Sequence, residues 1–240
     1  MGEIVILMAS GLGSRMRPMT ERKPKPLIKI GKEPMIETII CGFMQYRRID
    51  SIFIVIGYLK EQFKYLEEKY SIVHLVENPD YMSVNNISSI YYAKELLRSG
   101  CDCFISEADL FLNNPAILTT NMKNSCYFGK MINGYSDDWV FDLDFEGYIS
   151  RVGKGGYNCY NMAGISWFKN FDAAILANCI ENAYGMHHYE DMFWDDVVNQ
   201  NLDKLKLRVF PIGQDDIVEI DTVEELKKVR MKYINCRESG

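Results

Sequence analysis

A glycine pair followed by an arginine and a lysine can grip a polyphosphate, and such a set follows the first apolar segment. Residues 4–25 read IVILMASGLGSRMRPMTERKPK. Gly11 and Gly13 let backbone N–H groups approach an anion closely. Arg15 can hold two phosphate oxygens at once. Lys25 lies between Pro24 and Pro26, which fix φ and restrict their neighbours, so its point charge rides on a stiffened segment. Two familiar phosphate motifs fail here. A P-loop needs Lys-Ser or Lys-Thr after its glycines, and a dinucleotide fingerprint needs a third glycine where position 16 is Met. What remains is G-x-G-x-R with a lysine ten residues on. Between Arg15 and Lys32 there are seven Lys or Arg and one acid, Glu21, in a chain of net charge −6. That is a local site for a small anion, and it argues against the broad basic surface of a nucleic-acid binder.

The elements that must position this loop are readable from the hydrophobic pattern. Glu3–Met8 and Ser51–Ile56 read as buried strands, with strands again at Ile72–Val76 and Cys101–Ser106. Helical spacing falls between them, over Pro34–Tyr46, Lys60–Tyr70 and Ile87–Arg98. This β-α-β alternation predicts an α/β fold: a mostly parallel, doubly wound, Rossmann-like mixed sheet flanked by helices. From about residue 124 shorter aromatic-rich strands follow, punctuated by Asn133-Gly134 and Glu146-Gly147. They predict antiparallel additions in the second half. Helices are expected near 171–183 and 190–200, then a last strand and helix from Leu205 to about Asn235. With 48% hydrophobic residues and no linker or repeat, the 240 residues read as one domain whose second half (113–240) differs in pattern from the first (1–112). No apolar run reaches the ~18 residues of a membrane span, and no basic segment precedes the first strand as in a signal peptide. Seven scattered cysteines without a C-x-x-C pair predict reduced thiols in a cytoplasm. Nothing in the sequence specifies an oligomeric state.

The string G-x-G-x-R-x-x-P-x-T…P-K-P-L resembles the signature of the nucleotidyltransferase family that makes nucleoside-diphosphate sugars and alcohols. The resemblance continues through GYLKEQFKYLEEKY (57–70), NPDYMSVNNISSIYYAKE (78–95), ISEADLFL (105–112), DMFWDDVV (191–198) and EIDTVEEL (219–226). Together these look most like bacterial CTP:phosphocholine cytidylyltransferases. One departure is Ser10, where alanine is usual. The resemblance implies attack by an acceptor phosphate on the α-phosphate of CTP, with release of pyrophosphate. Because the acceptor is already an anion, positioning and charge neutralisation should supply most of the catalysis.

It further implies Arg15 on the β and γ phosphates and Lys25 near the α-phosphate. The base and ribose would be faced by the loop Met8, Ala9, Ser10, Gly11, Leu12 and Gly13, with Tyr81, Asn85 and Asn86 opposite. Either asparagine could instead cap the helix that begins near Ile87. The cofactor is expected to be Mg²⁺, held by Asp109 and Asp221 with Glu219 in reserve. Asp109 and Asp221 each follow an acid, Glu107 or Glu219, by two residues. Position alone also allows Asp221 to open the last helix as a capping box with Glu224. For the acceptor, a quaternary ammonium needs aromatic faces and nearby carboxylates. Trp139 and Trp194 match tryptophans of the family's choline-binding region, with Asp138, Tyr189 and Asp191 beside them; helical spacing would place Asp191 and Trp194 on one face. The bland alternative makes these aromatics core and the acids a solvated face, and Trp167 is assigned to the core. His74, His187 and His188 read as structural. Competing readings are a 2-aminoethylphosphonate cytidylyltransferase, a sugar-1-phosphate nucleotidyltransferase, and a nucleotide-binding regulatory module without turnover.

Overall fold

The computed structural model describes residues 2–237. In its first half β1 (Glu3–Ala9), β2 (Lys29–Ile30) and β3 (Glu33–Pro34) precede α1 (Met35–Tyr46). Then come β4 (Ser51–Ile56), α2 (Tyr65–Lys69), β5 (Val73–Glu77), α3 (Ile87–Leu97), β6 (Asp102–Glu107) and β7 (Leu110–Leu112). The second half runs β8 (Cys126–Met131), β9 (Tyr135–Leu143), β10 (Ile149–Tyr157), β11 (Tyr160–Phe168), α4 (Asn170–Ala183), α5 (Trp194–Gln200), β12 (Arg208–Pro211), β13 (Ile217–Glu219) and α6 (Val223–Arg237).

The main sheet has the order β10-β9-β11-β6-β1-β4-β5, and β8 pairs with both β11 and β12. Strands β6, β1, β4 and β5 are parallel. The expected antiparallel additions are present, since β11 runs against β6, β8 and β9. The chain leaves β1 towards β4 and β5, then returns through α3 to β6 on the other side of β1. That reversal leaves a crevice at the carboxyl ends of β1 and β6, where ligands bind in open α/β sheets.

Alternation along β1 builds the two faces. Ile4 and Ile6 pack with α3, α4 and α5, while Val5, Leu7 and Ala9 pack with α1. A third cluster joins Leu226 and Val229 of α6 to Met16, Ile28, Ile30 and Met35, which seats the basic segment on the molecule. Two expectations about elements need correction. The stretch 60–70 is a 3-10 turn (Lys60–Phe63) followed by the short α2, with Leu59 in the left-handed region. The helix expected at 190–200 begins only at Trp194. Asp191 belongs to a separate 3-10 turn, so Asp191 and Trp194 do not share a helical face. The cause is local: the Asp196 carboxylate accepts the Phe193 N–H at 2.8 Å and starts the helix there. Trp167 is core, at 3% exposure, as expected. His187 and His188 lie on an exposed loop, and His74 packs on Phe53 at the sheet edge. Cys236 lies where no side chain is described; the six cysteines before it are free.

Candidate active site

The β1–β6 crevice opens into a cavity of about 360 Å³. It is lined by the glycine loop, Met8 to Gly13, by Arg15 and Lys25, by Tyr81, Asn85 and Asn86, and by Asp109 and Asp221. A Cβ placed on Gly11 would meet no protein atom within 4 Å, so packing does not require glycine there. The space is left for a ligand. Gly13 is required by the fold: its φ is +61°, and a Cβ would sit 3.0 Å from Lys25 and Thr20. Thr20 Oγ1 donates to the Gly13 carbonyl at 2.8 Å and closes the loop.

Lys25 sits in a 3-10 turn introduced by Pro24, with its side chain buried. Its ammonium donates to Asp109 Oδ2 at 2.6 Å and to Asp221 Oδ1 at 2.5 Å. Burial alone would lower the lysine pKa, yet the two aspartates outweigh it and hold the pKa above its ordinary value. Asp221 also meets Arg15 Nη1 at 2.8 Å. Burial pushes the Asp221 carboxyl up, but Lys25 and then Arg15 pull it below the usual carboxylate range.

Strand pairing brings these acids together. Leu110 follows Asp109, and it pairs with Glu219 across β7 and β13, which sets Asp221 beside Asp109. Asp221 is free for this role because the cap of α6 lies one residue later than the sequence implied. Thr222 Oγ1 accepts the Glu225 N–H, and Glu225 Oε2 accepts the Asp221 and Thr222 N–H groups. Two hard oxygen donors converging on one cation fit Mg²⁺, which binds through one or two carboxylates and substrate phosphates. Among the described residues no group of three or more His, Cys, Asp or Glu is placed to hold a metal ion by itself. Glu219 is outside the cavity lining and does not reach Lys25. Burial, and then the charges of Asp221 and Asp109, push its carboxyl up to about 8.

Several cavity residues had no sequence signal. Asn78, Ser88 and Ser89 form a buried hydroxyl-and-amide floor with Ser10. Ser10 Oγ and Ser89 Oγ are 2.7 Å apart, and Asn78 Nδ2 donates to Ser88 Oγ at 2.9 Å. Two serines in the first turn of a helix resemble any helix start, so only the tertiary fold reveals them. Glu107 also lines the cavity; burial first, then the neighbouring acids, raise its pKa well above the ordinary value.

The residues expected around the acceptor fall less neatly. Trp194 is 3% exposed and packs against Tyr127 and Phe168 in the core. It presents no face to a ligand, which corrects its expected role. Tyr189 packs on Tyr184 with ring centroids 4.7 Å apart, and Asp191 is exposed. Trp139 is half-buried and meets Phe193 edge to face at 5.3 Å. The Lys154 ammonium lies 6.0 Å from the Trp139 ring and 5.7 Å from Phe193. Asp138 beside Trp139 is exposed, and its charge acts on Glu219 and Lys130. Buried Asp195 accepts the Tyr127 hydroxyl at 3.0 Å, and burial pushes its carboxyl up to about 7.

Comparison with known proteins places this geometry. The family described as Nucleotidyl transferase matches residues 4–124. A relative named 2-aminoethylphosphonate cytidylyltransferase, from Lancefieldella rimae, is 47% identical over 229 residues, covering 95% of this chain and 92% of its own. The chain belongs to the nucleotidyl transferase family. This nucleotidyltransferase is also 32% identical to a choline-phosphate cytidylyltransferase of Streptococcus pneumoniae, across 93% of its own length and 95% of the relative. A solved structure of CTP:phosphocholine cytidylyltransferase from Streptococcus pneumoniae superimposes with a TM-score of 0.87 at 30% identity, covering 96% of this nucleotidyltransferase and 99% of that chain. No helix among the described residues is long and apolar enough to cross a membrane.

Proposed function

We propose that the protein is a Mg²⁺-dependent cytidylyltransferase that joins CTP to an acceptor carrying a primary ammonium, 2-aminoethylphosphonate. The observation that carries the acceptor assignment is the burial of Trp194 in the core. A quaternary ammonium has no N–H and depends on aromatic faces, and with Trp194 buried the expected cage loses one face, leaving the Trp139–Phe193 pair and the half-buried Tyr189. A primary ammonium offers three N–H donors, and this half of the molecule holds exposed acids near the Trp139–Phe193 pair in sequence, Asp138 and Asp191. The relative from Lancefieldella rimae supports the same reading. Phosphocholine is the second reading, favoured by the edge-to-face Trp139–Phe193 pair, which keeps an aromatic surface for a cation.

In this reading a phosphonate oxygen of the acceptor attacks the α-phosphorus of CTP. The bond from that phosphorus to the bridging oxygen breaks, and pyrophosphate leaves with its electron pair. The acceptor arrives as an anion, so no general base is required. Arg15 binds the outgoing phosphates and Lys25 neutralises charge growing at the α-phosphate. The glycine loop supplies N–H donors that hold the triphosphate in line. Asp109 and Asp221 would hold Mg²⁺, which when bound offsets phosphate charge. The test is pyrophosphate release, with and without Mg²⁺, from CTP, UTP, dTTP or ATP paired with 2-aminoethylphosphonate, phosphocholine, phosphoethanolamine or glucose-1-phosphate. The highest kcat/KM is expected for CTP with 2-aminoethylphosphonate. Tenfold better use of phosphocholine would overturn the acceptor assignment, and silence with CTP would overturn the function.

A further inference from the structure

Two neighbouring asparagines join the nucleotide wall of the cavity to the segment that carries Phe193. The Asn85 N–H donates to the Glu190 carbonyl at 2.7 Å, and Asn85 Nδ2 donates to the Asp191 carbonyl at 3.2 Å. Asn86 Oδ1 accepts the Trp194 N–H at 3.0 Å. That last N–H is the first of α5, one of the donors a helix start leaves unpaired. Asn86 therefore caps a helix more than 100 residues away in sequence. Towards its own helix α3 it offers only its main-chain carbonyl, which accepts the Ser89 N–H at 3.0 Å, and no side-chain cap.

The orientation of the Asn86 amide follows from this contact. Trp194 can only donate, so the oxygen must face it, and the nitrogen turns the other way. Nδ2 has no protein partner among the described residues, and Asn86 lines the cavity together with Tyr81 and Val84. One rigid planar group thus has its acceptor end on the 189–194 segment and its donor end open to whatever fills the nucleotide wall. Beyond the segment, Phe193 meets the half-buried Trp139.

We infer that Asn86 is a positioning residue that couples the two substrates: a nucleotide accepting from Nδ2 fixes the amide, and the amide fixes the start of α5 and so the Phe193–Trp139 surface. This rests on the cytidylyltransferase reading, and it assigns that site a linkage. By reciprocity, the acceptor must tighten nucleotide binding by the same factor.

The test is calorimetric titration of 2-aminoethylphosphonate, or phosphocholine if that is the acceptor turned over, with and without Mg²⁺ and α,β-methylene CTP. The wild type is expected to bind acceptor at least about fivefold tighter with the nucleotide analogue present. Asn86→Ala is expected to abolish that difference and to weaken acceptor binding even without nucleotide. Asn86→Asp keeps the oxygen that caps Trp194 and loses the N–H donor. It should restore acceptor affinity in the absence of nucleotide, while the coupling stays lost. A purely structural role would move stability and both affinities together, without that split. Wild-type coupling in Asn86→Ala, or none in the wild type, overturns the inference. Failure of the wild type to bind the nucleotide analogue at all would instead overturn the function on which it rests.

Discussion

Lys25 is a buried ammonium shared by two aspartates at 2.6 and 2.5 Å, in the lining of the cavity that would take the triphosphate under the proposed reading. Lys25→Ala should lower turnover at least ~10²–10³-fold while circular dichroism and thermal melting still report a folded protein; near-normal turnover would remove Lys25 from the mechanism. The two tryptophans expected to act together should separate. Trp194→Ala empties a core site against Tyr127 and Phe168 and should cost ~3–5 kcal/mol of stability in denaturant titrations. Trp139→Ala should leave stability nearly unchanged and raise the acceptor KM at least about tenfold, with the CTP KM little altered. Equal effects on both KM values would deny Trp139 its place at the acceptor. At this scale the sequence was most legible where function is local: Gly11, Gly13, Arg15 and Lys25 lie within 15 residues and announce an anion site. Trp139 and Trp194 have the same side chain, and only tertiary packing decides which keeps a solvent face.

Elements position what residues alone cannot. Tyr81 reaches the nucleotide wall because β4 ends at a glycine: a Cβ on Gly57 would fall 2.6 Å from Tyr81 Cγ and 2.7 Å from its Cβ. Gly57→Ala must push the ring base aside, and should raise the CTP KM about fivefold or more in steady-state assays, with a smaller change in the acceptor KM. The strand and helix alternation of the first half was readable from hydrophobic period, because each unit is local. The pairing of β7 with β13, which sets Asp221 beside Asp109, joins segments more than 100 residues apart and leaves no local trace. The start of α5 was misread by a few residues, and position alone left Asp221 open as the cap of α6, for a related reason. Several acids at each start could cap, and the choice of Asp196 and of Thr222 with Glu225 was settled by which other acids Lys25 and Tyr127 had engaged.

For the molecule as a whole, a sheet with a core on each face stabilises the fold, and some buried acids oppose it. Asp195 is 3% exposed, and burial raises its carboxyl from 3.8 to about 7. The folded state keeps a proton that the unfolded chain has lost, so stability falls as pH rises from about 4 to 7. Asp195→Asn keeps an oxygen for the Tyr127 hydroxyl and removes the ionisation. It should therefore be more stable than wild type by a few kcal/mol at pH 8, with the gap closing towards pH 4, as read by thermal melting. A gap independent of pH would mean that Asp195 ionises freely. The Lys25 site carries a consequence of its own under the proposed reading. In the resting molecule Asp109 and Asp221 already hold a cation that belongs to the chain. A divalent ion would compete with that ammonium for the carboxylates, and an ammonium displaced in this way needs another anion. The incoming triphosphate is that anion, so ion and nucleotide load as mutual conditions, and the idle enzyme is poorly disposed to collect stray metal.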